Sequence, residues 1–530
     1  MAGLPFDQKL ECKSASTKEE FTLCIMRSEN LPTLFIETDS GSVEAIWSDK
    51  DVEENGKIQV FDETGSQLYR SGLKSIKGRG NYSFSNYEKK PFSITTKEEV
   101  SLLGLGAGTQ YSLLSNASDP TLIRNELARR MEEALETEYT NVGRFVDLYV
   151  NGDYLGNYYL CENIEVGTQR IQITNLEEQM DRLYQKSKYE SFTDYVTEKT
   201  HAKVMEYNPA DITGGYIVER DFKDRYLLEY GENPSSFITE GEEHFIVKSP
   251  LYCSDEQIEY LKECFDKAEA ALLAEDGKHP TTGECYDQLI DVDSFVKKYL
   301  VEEVTKNYDA GVSSSFFYKD SDSVDGRIKA APIWDCDMSL GNHLDWMEYF
   351  SEDPRGVSLL SLHQHASSWY EALYQKEEGY EKICDYYAKS VAPYLEELEK
   401  TLVDEYKEYL SASAAMNDIR WKVDFQNNEY YTDRDTSFEE LKEFIGQRKA
   451  FLDEVWIEQI PYCIVTFEVD DAIQEIRYIK EGDTIGPLLD EKSAGVGIWV
   501  YADGREAVSE ADQVTEDTVI TGAGRTTTTP

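Results

Sequence analysis

Three carboxylates, Asp309, Asp335 and Asp337, carry the most informative chemical pattern in the sequence. They lie in Lys306 to Asn342, KNYDAGVSSSFFYKDSDSVDGRIKAAPIWDCDMSLGN, which reads as a loop, a strand (SSFFYKD), a turn through DSVDG and a second strand (RIKAAPIWD). Antiparallel pairing of those strands would set Asp309, ahead of the first, beside Asp335 and Asp337 at the end of the second. Carboxylates so grouped can take a proton from an attacking hydroxyl and hold a divalent cation against phosphates. The same residue types also suit two acids across a sugar-binding cleft, or strand-end Asp residues that bond a turn or face water.

A phosphate ligand would need positive charge, and the sequence concentrates it. The window Arg70 to Lys90, RSGLKSIKGRGNYSFSNYEKK, holds Arg70, Lys74, Lys77, Arg79, Lys89 and Lys90 against Glu88 alone. Gly78 and Gly80 would let backbone approach an anion such as a triphosphate, although a solvent-exposed basic strand pair explains the composition equally well. Asp119 and Pro120 have the types of an N-cap and first position for a helix through TLIRNELARRMEEAL. That would put Arg124 near a helix N-terminus, where anions are favoured, or where it simply caps an acidic neighbour. Arg129 and Arg130 are expected to pair with Glu132 and Glu133 or to face solvent.

The whole chain bounds these readings. Its 530 residues carry 53 Lys+Arg against 103 Asp+Glu, a net charge of −50, which argues against nucleic acid and anionic membrane as partners. A hydrophobic fraction of 40% and an aromatic fraction of 12% describe a folded chain. No run approaches the ~20 apolar residues of a membrane-spanning helix. The nine cysteines form no CxxC pair, so neither a zinc ribbon nor a disulfide framework is indicated.

The elements that must position the candidate residues follow from periodicity. Residues 31 to 250 are mostly strand-like (LPTLFIET, GKIQVFD, KPFSITT, GRFVDLYV, YLGNYYLCENIE, GGYIVERD), with VNGDYLGNY as a hairpin turn. EQIEYLKECFDKAEAALLA, VDSFVKKYLVEEVTKNY and the stretch from Ser367 to Val455 have helical spacing. Short alternating runs from Tyr462 to Thr521 predict a small all-β module, and GAGRTTTTP has the composition of a linker. The expected domains are an extension over 1–30, a main domain over 31–458, the β module over 461–521 and the linker over 522–530. Linkers of this kind commonly tether modules in secreted bacterial proteins, so export and a further module beyond it are the expectation.

In order, KGRGNYSF…KKPFSI, SLLGLGAGTQYSLLSNASDPTLIRNELA, FVDLYVNGDYLGNYYLCENIE, GGYIVERD and PIWDCDMSLGN resemble the CotH family of secretory, spore-coat-type protein kinases. The C-terminal module resembles a Listeria–Bacteroides repeat, without that family's usual Gly-rich first turn. The resemblance implies an α+β, divergent two-lobed protein-kinase-like fold with a strand-rich N-lobe and a mainly helical C-lobe. It implies transfer of the ATP γ-phosphate to Ser or Thr of extracellular or coat proteins, with Mg2+ or a similar cation (Mn2+ or Ca2+). By position, Asp309 would be the catalytic-loop Asp, and Asp335 and Asp337 metal ligands. Lys90, Arg79 and Arg124 would contact phosphates, and Glu162 would lie toward the nucleotide base. Ser314 stands where ordinary kinases carry a metal-binding Asn, and a hydroxyl is the weaker ligand. The alternative is therefore a kinase-like scaffold of a multi-modular secreted protein. The expected protein partner is basic and Ser-rich.

Overall fold

Strands whose inward residues are uniformly apolar close on themselves in the first part of the chain. The structure is a computed structural model that describes residues 9–13, 20–24, 28, 30–184, 208–221, 235–310, 313–342, 353–356, 368–421, 433–469, 472–492, 496–502 and 507–524. Most of the expected N-terminal extension, and the linker beyond Gly524, lie outside the described residues. Two short strands, β1 (Lys9–Lys13) and β2 (Glu20–Cys24), pair antiparallel. The chain divides into two units. One comprises 1–123, 141–172 and 402–434, the other 124–140, 173–401 and 435–530.

The first unit is built on a closed seven-stranded barrel. Its strands are β3 (Thr33–Thr38), β4 (Glu53–Phe61), β5 (Gln67–Gly78), β6 (Phe92–Val100), β7 (Gly108–Leu114), β8 (Gly143–Val150) and β9 (Asp153–Glu162). They run in the order β3-β4-β5-β6-β7-β9-β8, and parallel pairing of β8 with β3 closes the ring, which removes sheet edges. Ile36, Ile58, Leu73, Ile94, Tyr111 and Leu148 contribute to its interior. Asn151 and Gly152, with φ of 52° and 89°, make the expected tight turn between β8 and β9.

β8 and β9 are buried on both faces, so their outer face needs a cover. The helix Val403–Trp421 supplies it. Gly156 allows the close approach: its φ is 111°, and a Cβ there would lie 2.5 Å from Asn417 Oδ1. Asp147, fully buried in β8, accepts hydrogen bonds from the Ser28 amide (3.0 Å), the Ser28 hydroxyl (2.6 Å), Ser413 (2.6 Å) and Tyr154 (3.1 Å). Neutral donors thus satisfy a buried carboxylate and fasten the covering helix.

The second unit holds an antiparallel five-stranded sheet, order β11-β12-β10-β13-β14, from β10 (Tyr216–Arg220), β11 (Ser236–Ile238), β12 (His244–Ser249), β13 (Ser315–Lys319) and β14 (Ile328–Ala330). Helix Asp255–Leu273 opens on a Ser254/Gln257 capping box, and Val292–Thr305 on Asp291, whose side chain accepts from the Ser294 amide. A second sheet, order β16-β15-β18-β17, comprises β15 (Tyr462–Val469), β16 (Ala472–Lys480), β17 (Val496–Tyr501) and β18 (Thr518–Gly524). Val465, Phe467, Ile485, Trp499 and Ile520 form a core of its own. A helix, Gly486–Lys492, interrupts this expected all-β module, and β18 continues through Gly524 where linker composition begins. The chain is mixed α/β, and no described helix is long and apolar enough to cross a membrane.

Two local expectations are corrected. The helix after Asp119 begins at Arg124, because the Asp119 carboxylate instead accepts from the Thr121 amide (2.9 Å) and hydroxyl (2.6 Å), and Leu122 turns left-handed at φ 69°. The second strand of the hairpin ends at Ala330 rather than reaching Asp335, since Pro332 has no N–H to donate to a ladder. One consequence of the barrel packing is measurable. Asp147→Ala should lower the unfolding free energy by about 3 kcal/mol, because four donors lose a charged acceptor. Urea denaturation should show the midpoint fall, and an unchanged midpoint would deny Asp147 this role.

Candidate active site

Helix Val292–Thr305 ends because Lys306 turns left-handed (φ 49°, ψ 47°) and its amide bonds the carbonyls of Glu302 and Glu303. The chain then runs alongside the segment that follows β14. The Tyr308 amide donates to Met338 O (3.1 Å), and the Leu340 amide donates to Thr305 O (2.7 Å). Asp309 and Asp337 therefore sit one residue beyond and one residue before a bonded backbone pair. The two stretches are brought together as the sequence suggested, but by these loop contacts rather than by an extended hairpin.

Asp309, Asp335 and Asp337 are all half-buried. The Asp309 carbonyl accepts from the Ser313 amide at 3.1 Å, two residues ahead of β13. The Asp337 carbonyl accepts from Asn342 Nδ2 at 2.7 Å. Asp335 has φ 60°, a conformation Asp tolerates better than most side chains, and among the described residues no hydrogen bond or ion pair engages its carboxylate. Ser314 is buried with φ 53° at the entry to β13. Gly311 and Val312, between Asp309 and Ser314, lie outside the described residues.

Helix Arg124–Ala134 clamps the carboxylate-bearing segment. Arg124 is buried and donates to the carbonyls of Ser339 (2.9 Å) and Leu340 (3.4 Å). Asn125 Oδ1 accepts from the Cys336 amide, and Glu132 Oε1 from the Ile333 amide, both at 2.9 Å. Asn125 and Glu132 are seven residues apart, so they share one helix face. Lys298 adds bonds to Ala331 O (3.1 Å) and Pro332 O (3.5 Å) and pairs with Glu302 at 3.4 Å. Arg129 pairs with Glu126 and Glu133, and Arg130 with Glu126, which leaves Glu132 facing inward rather than toward Arg130.

A second support lies under the loop. Arg448, fully buried, pairs with Glu303 at 2.8 Å and also donates to the carbonyls of Val304 (3.2 Å) and Pro354 (2.9 Å). Lys306 Nζ bonds Asp353 O (2.5 Å) and Arg355 O (2.9 Å), and burial together with the nearby Arg448 pushes its pKa down to about 7. Gly341, at φ 79°, admits the Arg434–Leu452 helix: a Cβ there would lie 2.8 Å from the Phe444 ring. Asn125, Lys298 and Arg448 were not singled out in the sequence, and Glu132 entered only as an expected partner of Arg129 or Arg130. The only signal was the seven-residue spacing of Asn125 and Glu132 within a run of charges that otherwise reads as a solvated face.

Lys90, Arg79 and Glu162 belong to the barrel unit. Lys90 precedes β6, and its ammonium donates to Phe84 O and lies 5.0 Å from the Phe84 ring centre. The Arg79 amide bonds Pro91 O at 3.1 Å. Glu162 is buried in an ion pair with Arg170 (2.7 Å) and accepts from the Gly106 amide, anchoring the LGLGAG loop. Lys89, adjacent to Lys90, is the buried lysine: it donates to Ser115 O (2.7 Å) and Asn157 O, and burial pushes its pKa down to about 7. The basic window is thus divided, with Lys77 paired to Glu53 at 2.9 Å and a short helix, Tyr82–Asn86, between its halves.

Among the described residues no group of three or more His, Cys, Asp or Glu side chains converges as a metal site. Mg2+ does not require one, because one or two carboxylates complete its shell with water and substrate phosphates. The unengaged Asp335 carboxylate and the neighbouring Asp337 fit such an ion by donor type.

Burial pushes the Glu132 carboxyl up to about 8 from its usual 4.5, opposed by the Ile333 amide, Lys298 and Arg129. Below 4.5 folded and unfolded chains both carry the proton; between 4.5 and 8 only the folded chain does, so this group's stabilisation declines as pH rises through that window. Glu132→Gln keeps an acceptor for Ile333 without a charge to develop. The variant should lose part of the fall in melting temperature between pH 5.5 and pH 8, on the order of a few degrees. Identical pH profiles for the two proteins would contradict a protonated Glu132.

Among curated proteins none matches the sequence. The family profile described as CotH kinase protein matches residues 76–452. That span includes β6 to β14, the helix that clamps the carboxylate segment, and all three of Asp309, Asp335 and Asp337, and by it the chain belongs to the CotH family.

Proposed function

We propose that this protein is a metal-dependent protein kinase that transfers the γ-phosphate of ATP to Ser or Thr of secreted or coat proteins. The observation that carries the reading is the bonded pair of loops, Tyr308 to Met338 and Leu340 to Thr305, which sets Asp309 and Asp337 on neighbouring backbone within one unit. Family membership gives that arrangement its chemical direction. In this reading the barrel corresponds to the strand-rich lobe of a kinase-like fold and the helical unit to the other lobe.

Asp309 orients the attacking hydroxyl and takes its proton, and positioning together with electrostatics supplies the acceleration. Asp335 and Asp337, with the Ser314 hydroxyl, would hold Mg2+ or a similar cation, which neutralises phosphate charge when bound. Arg124 keeps those ligands in place through the backbone of residues 339 and 340, a positioning role in place of the phosphate contact expected of it. Glu162 likewise supports the 104–108 loop from below. Lys90 and Arg79 remain the candidate phosphate contacts, with Lys90 exchanging Phe84 O for the nucleotide.

The acidic chain favours a basic, Ser-rich acceptor, and the C-terminal sheet, similar in sequence pattern to a Listeria–Bacteroides repeat, fits a protein that works outside the cell. Ser314 in place of the usual Asn favours one second reading, a kinase-like scaffold without turnover. Radiolabelled transfer from ATP onto a basic Ser-rich peptide separates the two. Wild type should label the peptide and Asp309→Ala should label it about a hundredfold or more slowly. Equal labelling would remove Asp309 from the mechanism. No labelling by wild type, with a melting temperature still raised by Mg-ATP, would establish the scaffold.

A further inference from the structure

Four cations meet on the barrel around Gly72. Lys57 in β4 is directly opposite Gly72 in β5, and the pairing of Leu73 with Thr96 brings Lys97 of β6 to the other side of the same glycine. A Cβ on Gly72 would lie 2.8 Å from both Cε and Nζ of Lys97, so the glycine is what lets that side chain lie across the strand. Arg70 and Lys74 flank Gly72 along β5, and the pairing register of β5 shifts between Leu73 and Ser75. Together these residues line a cleft of about 660 Å3, with Asp39 as the carboxylate in its wall.

Among the described residues none of the four cations forms an ion pair. Glu37 lies opposite Lys57 in β3 without bonding it. Like charges side by side on a sheet destabilise it, and a chain with 103 acidic residues against 53 basic ones had ample means to relieve the cluster. The cluster has the form of a binding surface. Three strands spaced by ~4.8 Å set Lys57 and Lys97 roughly 10 Å apart, and four residues of β5 set Arg70 and Lys74 about 13 Å apart.

We propose that this cleft docks an extended peptide bearing two or more phosphorylated side chains. Phosphates on alternate residues of such a peptide are roughly 7 Å apart and each carries about −1.5 to −2 charges, so two of them match four cations over this footprint. Carboxylates at the same spacing would supply roughly half to two-thirds of that charge. Diffuse polyanions are disfavoured by the net charge of −50, which only a concentrated local field can offset. The inference rests on the proposed kinase activity for the origin of the phosphates, since a docked product segment would hold a Ser-rich acceptor at the enzyme for further transfer.

Fluorescence anisotropy tests it with synthetic peptides, so that the result does not depend on transfer. One peptide carries phosphoserine at two alternate positions, one carries Ser and one carries Glu there, and each is titrated with the full chain and with Arg70→Ala/Lys74→Ala. The wild-type chain should bind the diphosphorylated peptide at least about tenfold more tightly than either other peptide, and the double variant should lose that preference. Binding should also weaken steeply with salt. Equal affinity for all three peptides, or unchanged affinity in a double variant with the wild-type melting temperature, would overturn the proposal whatever the outcome of the transfer assay.

Discussion

Two backbone hydrogen bonds, Tyr308 to Met338 and Leu340 to Thr305, are the constraint on which the candidate active site depends. They join a loop that follows a helix to a loop that follows a strand, and neither loop has a regular ladder of its own. Lys306, Asp335 and Leu340 all have positive φ there, a conformation that costs non-glycine residues of order 1–3 kcal/mol each when bulky or branched. It persists because the surroundings determine it more than once. The Leu340 amide is bound by Thr305 and its carbonyl by Arg124, while the Lys306 amide and ammonium are both engaged.

The same logic explains where the chain uses its scarce positive charge. Lys89, Arg124, Lys298, Lys306 and Arg448 are buried, and each donates to main-chain carbonyls. A carbonyl accepts a cation's hydrogen bond without bringing a second full charge out of water, so such a contact fixes irregular backbone at a lower desolvation cost than another ion pair. The acidic surface follows in part from this allocation, because cations spent in the interior do not balance carboxylates outside.

Much of the architecture was legible in the sequence. The strand-like runs LPTLFIET, GKIQVFD and GRFVDLYV, the Asn151–Gly152 turn and the helical spacing of EQIEYLKECFDKAEAALLA each report a local preference that the fold respects. What the sequence concealed depended on tertiary context. Asp119 and Pro120 have the types of a helix start, yet the Asp119 side chain found Thr121 first. Lys89 and Lys90 are indistinguishable as types, and only packing decides which of them is buried. The six cations of the Arg70 to Lys90 window are close in sequence but divided in space, whereas Lys57 and Lys97, outside the window, join two of them, Arg70 and Lys74, through strand register. Type and spacing allowed Asp309, Asp335 and Asp337 a shared site and the family resemblance assigned their roles, while Arg448 carried no local mark and Asn125 and Glu132 only their seven-residue spacing.

The central claim is that the loops bearing Asp309 and Asp335 make one cation-dependent phosphate site. Electron paramagnetic resonance of Mn2+ in the presence of a non-hydrolysable ATP analogue tests it most directly. Wild type and Asp309→Ala should each bind one Mn2+ with the nucleotide, and Asp335→Asn should bind it at least about tenfold more weakly. Binding by Asp335→Asn as tight as that of wild type would contradict the account.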